Sequence, residues 1–120
     1  MKGNSFSAKA SGTYRLERLL SGMGIPAGSR GFRYLVTAVG LFQQEDGSLT
    51  KDIYPATAKI YQSSPKTVES TIRHAVGKAW ERGGDDIYAS ITGIRYEHRP
   101  ANGQIIGELA SFIQSGSSAK

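Results

Sequence analysis

Residues 54–82 constrain the fold of this chain most, because two helical patterns meet there across a short polar break. Pro55 suits the first turn of a helix, where its missing N–H is not needed and its φ is already helical. Beyond the break, Ser64 followed by Pro65 is a helix-start signal, with serine as the N-cap and proline at the first helical position. An apolar stripe at helical spacing follows, formed by Val68, Ile72, Ala75, Val76 and Ala79. The pattern predicts a helix-turn-helix that ends at Gly83.

The opposite face of the second helix is polar and partly basic. Its residues are Lys66, Glu69, Ser70, Arg73, His74, Gly77 and Lys78. A two-helix unit can present such a face to the major groove of DNA. Charge on one face is also the rule for helices of soluble proteins, so the same pattern fits a solvated helix. From the pattern alone, DNA binding and an ordinary exposed face both stay open.

Helical signals also flank this unit. A short amphipathic helix is predicted around Leu16 and Leu20, and a strongly periodic one over about residues 29–44, with Ser29 as its cap. On the other side, Asp85-Asp86 marks the start of a short helix. Asn102 is predicted as the N-cap of a last helix, whose apolar residues are Ile105, Ile106, Leu109, Phe112 and Ile113.

These signals predict an all-α fold, a compact bundle of about six helices that contains the helix-turn-helix. Residues 1–12 are polar and aperiodic, so we expect a flexible N-terminal arm there. Residues 13–114 then form the folded domain, and residues 115–120 a flexible tail.

Composition narrows the functional classes. The chain has no cysteine, which excludes disulfides and thiolate metal sites. His74 and His98 lack the spacing of zinc ligands, and no serine or glycine motif indicates a nucleophile or a phosphate loop. We therefore expect no enzyme activity, metal or cofactor. The net charge of +5 permits a polyanionic partner, and the lack of a long apolar run favours a cytoplasmic protein.

Several short motifs carry a resemblance to a known family. The most specific is Ile72-Arg73-His74-Ala75 with Ala79-Trp80 behind it, and Gly24-Ile25-Pro26-Ala27 and Arg99-Pro100-x-Asn102 lie outside the helix-turn-helix. Together they resemble the DNA-binding effector domain of the sporulation master response regulator of endospore-forming bacteria, the stage 0 sporulation protein A family. The resemblance covers roughly residues 14–114.

The resemblance implies which residues bind DNA. In the family, the helix that starts at Ser64-Pro65 enters the major groove of a short TGTCGAA-like box. Glu69 matches a base-contacting glutamate, which can accept a hydrogen bond from cytosine. The full set of expected DNA-binding residues is Lys66, Thr67, Glu69, Ser70, Arg73 and His74, with Ser29, Arg30 and Lys78 near phosphates. The resemblance also implies an RNA polymerase contact through residues 84–94 and tandem self-association on double-stranded DNA.

The chain departs from the family at three points. The family usually has a guanine-reading arginine at the position of Ser70, and it often has a basic residue at Thr67. The family's regulator also carries a separate receiver domain, which the 12 polar residues at the start of this chain cannot be. We expect either an excised effector domain or a stand-alone protein outside phosphorelay control.

Two functions follow from these observations. The first is a sequence-specific DNA-binding transcription regulator without a receiver domain, acting on the nucleoid. The alternative, motivated by Thr67 and Ser70, is a protein-interaction module with the same fold that has lost tight DNA binding and modulates a full-length regulator.

Overall fold

A computed structural model describes residues 2–45 and 48–118 of the chain, and the side chains within residues 12–44 and 48–114. Its elements are α1 (Lys2–Gly22), α2 (Arg30–Glu45), a π-helical turn (Leu49–Ile53), α3 (Tyr54–Tyr61), α4 (Pro65–Glu81), α5 (Gly84–Thr92) and α6 (Asn102–Ser118). The described residues contain six α-helices and no strand, which confirms the predicted all-α bundle. Within this part of the chain, no helix combines the length and apolar character needed to cross a membrane.

The core lies where α2 packs against both α4 and α6, with α1 packed against α6 on the same core. Its fully buried side chains include Leu16, Leu20, Leu35, Val39, Ile72, Ile105, Ile106 and Leu109. Burying each of these side chains contributes roughly 1.5–3 kcal/mol to folding. This core therefore fixes α4 in the bundle.

The start of α2 lies directly against α4. As predicted, Ser29 caps α2, because its Oγ accepts a hydrogen bond of 3.2 Å from the Phe32 N–H. A Cβ atom at Gly31 would lie only 2.6 Å from the Cβ of Ala75 in α4, too close for two carbon atoms. Glycine at position 31 thus brings the basic start of α2 next to the middle of α4.

The first helix is longer than the sequence indicated. α1 begins at Lys2, so residues 2–12, for which a flexible arm was predicted, continue the helix. No proline interrupts this segment, and extending a helix that is already packed through Leu16 and Leu20 costs less than nucleating a new one. Met1 and residues 119–120 lie outside the described residues. The division of the chain into arm, domain and tail stays a prediction.

Asn102 does not act as the N-cap predicted for α6. It is the first residue of that helix, and its side chain is buried in contact with other elements. The Asn102 amide donates to the Tyr54 hydroxyl at 3.1 Å and to the Glu69 backbone carbonyl at 3.0 Å. These two bonds turn the side chain away from the free N–H groups of its own helix. Asn102 therefore ties the start of α6 to α3 and α4.

Candidate nucleic-acid interface

Local sequence signals build the helix-turn-helix. The Ser64 side chain accepts a hydrogen bond of 3.1 Å from the Thr67 N–H, which confirms Ser64 as the N-cap of α4 with Pro65 at its first position. The turn between the helices reverses direction at Gln62, whose φ of 56° lies in the left-handed region. A non-glycine residue in this region is uncommon, so the turn achieves with Gln62 what glycine does in many helix-turn-helix units.

The inward face of α4 is the predicted apolar stripe. Val68, Ile72 and Val76 are 0% exposed, and Ala79 is 2% exposed. Ala75 is half-buried against Gly31 of α2. Because this face is closed by the core, the opposite face of α4 must point outward.

The outward face carries the side chains expected to bind DNA. Lys66, Thr67, Arg73, His74 and Lys78 are exposed, whereas Glu69 and Ser70 are half-buried. We call these seven residues the reading face of α4. The structure thus brings together on one helix face all the expected DNA-binding residues that belong to α4.

Weak local bonds connect parts of the reading face. Arg73 and Glu69 form an ion pair of 3.1 Å in which both side chains remain almost half exposed. Exposed pairs of this kind contribute only about 0.3–0.5 kcal/mol, so Arg73 can exchange its partner for DNA at little cost. Thr67 accepts a hydrogen bond from the Ser64 hydroxyl, and Ser70 donates to the Thr67 carbonyl at 3.4 Å. The hydroxyls of Thr67 and Ser70 therefore have partners inside the helix.

A cavity of about 300 Å³ lies between the start of α2 and the outward face of α4, beside the close contact of Gly31 with Ala75. It brings Ser29 and Arg30 next to His74 and Lys78, and Arg82 adds a further positive charge to its lining. The Ser29 hydroxyl donates to the Pro26 carbonyl at 2.8 Å while it caps α2. Arg30 is exposed. Of the two residues, Arg30 is therefore the one with a free group to offer to a phosphate.

One basic residue at this surface escaped the sequence analysis. Arg99, from the loop between α5 and α6, lies beside Gly77 and lines a groove of about 770 Å³ along α4. The other lining residues of this groove are Ser70, Thr71, Arg73, His74, Gly77, Lys78 and Glu81. Only the motif Arg99-Pro100-x-Asn102 drew attention to this position, and nothing in its spacing indicated that the side chain would reach α4.

The chemistry of the surface suits an anion. Arg30, Arg73, Lys78 and Arg82 are positively charged at neutral pH, and His74 lies among them. Within the described residues, no three His, Cys, Asp or Glu side chains come together as metal ligands. The surface can therefore offer N–H donors to phosphates and to the acceptor atoms of base edges.

Comparison with known families gives this surface its context. The family model described as "Sporulation initiation factor Spo0A C terminal" matches residues 16–113. The matched segment includes both helices of the helix-turn-helix, the start of α2 and the loop that carries Arg99. Domains of this family are DNA-binding effector domains of sporulation transcription regulators, and the family is not one of enzymes. The chain therefore belongs to the Spo0A C-terminal family of DNA-binding domains.

Proposed function

We propose that this chain is a sequence-specific DNA-binding transcription regulator that places the N-terminal half of α4 in the major groove. The observation that carries the proposal is the division of α4 into an apolar stripe that faces the core and an outward reading face with four basic or imidazole side chains. A helix held in this way by a preceding helix and a core is the arrangement with which helix-turn-helix proteins approach DNA.

The reading face suggests separate roles for its residues. Glu69 can accept a hydrogen bond from a cytosine amino group, and Lys66 and His74 can approach acceptors on neighbouring bases. Arg73 is suited to a phosphate, because most protein–DNA hydrogen bonds go to the backbone. Arg30 and Lys78, which share the cavity between α2 and α4, are suited to the phosphates along one wall of the groove.

We place the transcriptional output on α5. Ile87 and Ile91 are 37% and 47% exposed on this helix, so residues 84–94 present apolar side chains as well as the acidic Asp86 to solvent. Such a surface suits a contact with RNA polymerase bound beside the domain. We propose further that the domains assemble in tandem on paired boxes, and that the protein acts on DNA in the cytoplasm.

A second candidate function has one observation in its favour. The two positions that depart from the family, Thr67 and Ser70, carry short side chains whose hydroxyls already have partners in α4. A domain with this reading face and little base recognition would act as an interaction module that modulates a full-length regulator. It would bind all duplexes weakly and without preference.

Fluorescence anisotropy separates the two functions. The chain is titrated onto a TGTCGAA-like duplex and a scrambled duplex at about 50 and about 200 mM salt. A regulator should bind the box more tightly than the scrambled duplex at both salt concentrations. Equal, weak binding to both duplexes would favour the interaction module, and no salt-dependent binding to either would reject the DNA face altogether.

Arg73→Ala tests the face itself. If Arg73 binds a phosphate, this variant should lose affinity equally on both duplexes and its salt slope should shrink by about 0.9. Arg18→Ala is the matched control, because it removes the same charge from α1, which packs on α2, α5 and α6. Equal binding by Arg73→Ala and the wild type would mean that the reading face does not meet DNA.

A further inference from the structure

We infer that Arg99 is an additional DNA-binding residue, which binds a backbone phosphate at the wall of the major groove beside α4. The inference deepens the proposed function and rests on it. It adds the loop between α5 and α6 to a DNA surface otherwise made of α4 and the start of α2.

The first observation is the fit between Arg99 and Gly77. A Cβ atom at Gly77 would lie 3.4 Å from Arg99 Cδ and 3.8 Å from its Nε. The stem of Arg99 therefore lies against α4 at the position where the helix has no side chain. An alanine Cβ would still fit there in ordinary van der Waals contact, whereas a larger side chain would displace the arginine.

The second observation is the charge around the Arg99 guanidinium. Within the described residues, Arg99 forms no ion pair, and its single hydrogen bond is from Nη1 to the Pro100 carbonyl at 3.2 Å. A guanidinium has five N–H donors, so most of them remain available. Arg99 shares its groove with Arg73, His74 and Lys78, and with one acidic residue, Glu81. This concentration of positive charge suits a phosphate.

The third observation is that the loop is held firmly on both sides of Arg99. Before it, the Tyr96 hydroxyl donates to the Glu108 carboxylate in α6. After it, Pro100 is buried and the Asn102 amide donates to the Glu69 carbonyl in α4. Binding by a side chain on a fixed loop loses less conformational entropy than binding by a side chain on a mobile one.

The position of Arg99 along α4 indicates the part of DNA that it meets. Gly77 lies about two helical turns, or roughly 10 Å, beyond Ser70. The major groove is about 12 Å wide, so a charge that far from the base-reading end of α4 lies near the groove wall, where the phosphates are. Arg99 should therefore increase affinity without reading sequence.

The test compares Arg99→Gln with Arg95→Gln by anisotropy of the full chain on box and scrambled duplexes. Arg95 is a matched control from the same loop, because it pairs with Asp85 and Asp86 of α5 at 3.4 and 2.9 Å. Arg99→Gln should weaken binding to both duplexes alike, by about five- to tenfold at low salt. The ratio of its Kd to that of the wild type should fall roughly threefold between about 50 and about 200 mM salt. A Kd and salt slope equal to those of Arg95→Gln would overturn the inference.

A second pair of variants tests the contact between the Arg99 stem and Gly77 of α4. The Cβ of Gly77→Ala fits in van der Waals contact with the Arg99 stem, whereas the branched side chain of Gly77→Val pushes the stem away. Gly77→Val should therefore bind DNA more weakly than Gly77→Ala. Neither variant should melt below the wild type, because alanine and valine both have a higher helix propensity than glycine. In an Arg99→Gln background the two substitutions should bind alike. A persistent difference in that background would show that valine obstructs DNA directly. The proposal that Gly77 positions Arg99 would then be rejected.

Failure of the inference differs from failure of the proposed function. If the wild type binds and Arg73→Ala weakens binding while Arg99→Gln does not, Arg99 alone is excluded from the surface. If the wild type shows no salt-dependent binding, the proposed function fails and the inference fails with it.

Discussion

On the inward face of α4, Val68 and Ile72 are fully buried, whereas Arg73 and His74, the next two residues after Ile72, lie in solvent on the outward face. The inward side chains are close-packed, α4 lying chiefly against α2 and α3, and any change in their volume is felt by the core. The outward side chains are held by weaker local bonds, an exposed ion pair and hydroxyl hydrogen bonds within the first turns. One helix thus separates stability from binding, and substitutions on the two faces should have separate effects.

The largest effect is expected on the inward face. Ile72→Ala removes buried methyl groups between α4 and the core and should lower the free energy of unfolding by about 2–5 kcal/mol. Urea denaturation measures this loss, and Arg73→Ala, the next residue on the outward face, is the matched control with an expected change of about 0.5 kcal/mol or less. Equal unfolding curves for Ile72→Ala and the wild type would mean that the two faces of α4 have been assigned the wrong way round.

The next effect is expected on the outward face and concerns sequence preference. Ser70→Arg supplies a side chain long enough to donate two hydrogen bonds to O6 and N7 of guanine, worth about 1–3 kcal/mol of discrimination. The gain in affinity should be larger on the box than on the scrambled duplex. Ser70→Lys adds the same charge without the paired donors, so it should raise affinity for both duplexes together. If arginine behaves like lysine, position 70 does not read a base.

The parts of the fold that could be predicted are those set by residues close together in the sequence. The start of α4, its apolar stripe and the cap of α2 follow from neighbouring residues, because Ser64, Pro65 and Ser29 act on backbone groups within one turn. The outward set on α4 then follows from helical periodicity alone. Its role in binding DNA came from the resemblance and the family match, since charge on a helix face does not identify a partner.

The connection from α5 to α6 could not be predicted in the same way. Ile87 and Ile91 share one face of α5 at helical spacing, yet both are exposed and Tyr88 is fully buried instead. The Tyr88 ring packs against Trp80, and its hydroxyl donates to Glu108 at 2.6 Å. Burial, with the Glu108 hydrogen bond, raises the pKa of the Tyr88 phenol above its ordinary value. These partners are distant in sequence, so periodicity within α5 carries no information about them.

A third prediction concerns Asn102, which ties the start of α6 to α3 and α4. Asn102→Ala removes the hydrogen bonds to Tyr54 and to the Glu69 carbonyl, and should lower the free energy of unfolding by about 1 kcal/mol. Because Asn102 also fixes one end of the loop that carries Arg99, DNA affinity should fall in the same variant. Urea denaturation and anisotropy measure the two losses. A loss of stability with no loss of affinity would show that the loop keeps its place without Asn102.

The smallest expected change comes from the ion pair on the reading face. Glu69→Gln breaks the pair with Arg73, and unfolding should become easier by only about 0.3–0.5 kcal/mol, because both partners are almost half exposed. The affinity for DNA should increase, although the stability of the fold decreases. Removing a negative charge beside the phosphates and releasing Arg73 should raise affinity for the scrambled duplex, most strongly at low salt.

Affinity for the box should rise less, because a charged acceptor for the cytosine amino group is lost, so the preference for the box should narrow. Glu81→Gln is the matched control: it removes an acidic group from the groove near the end of α4, away from the base-reading residues, and it should raise both affinities together. If Glu69→Gln instead weakened binding to both duplexes equally, the carboxylate would serve to position Arg73, and the ion pair would belong to the binding surface as a unit.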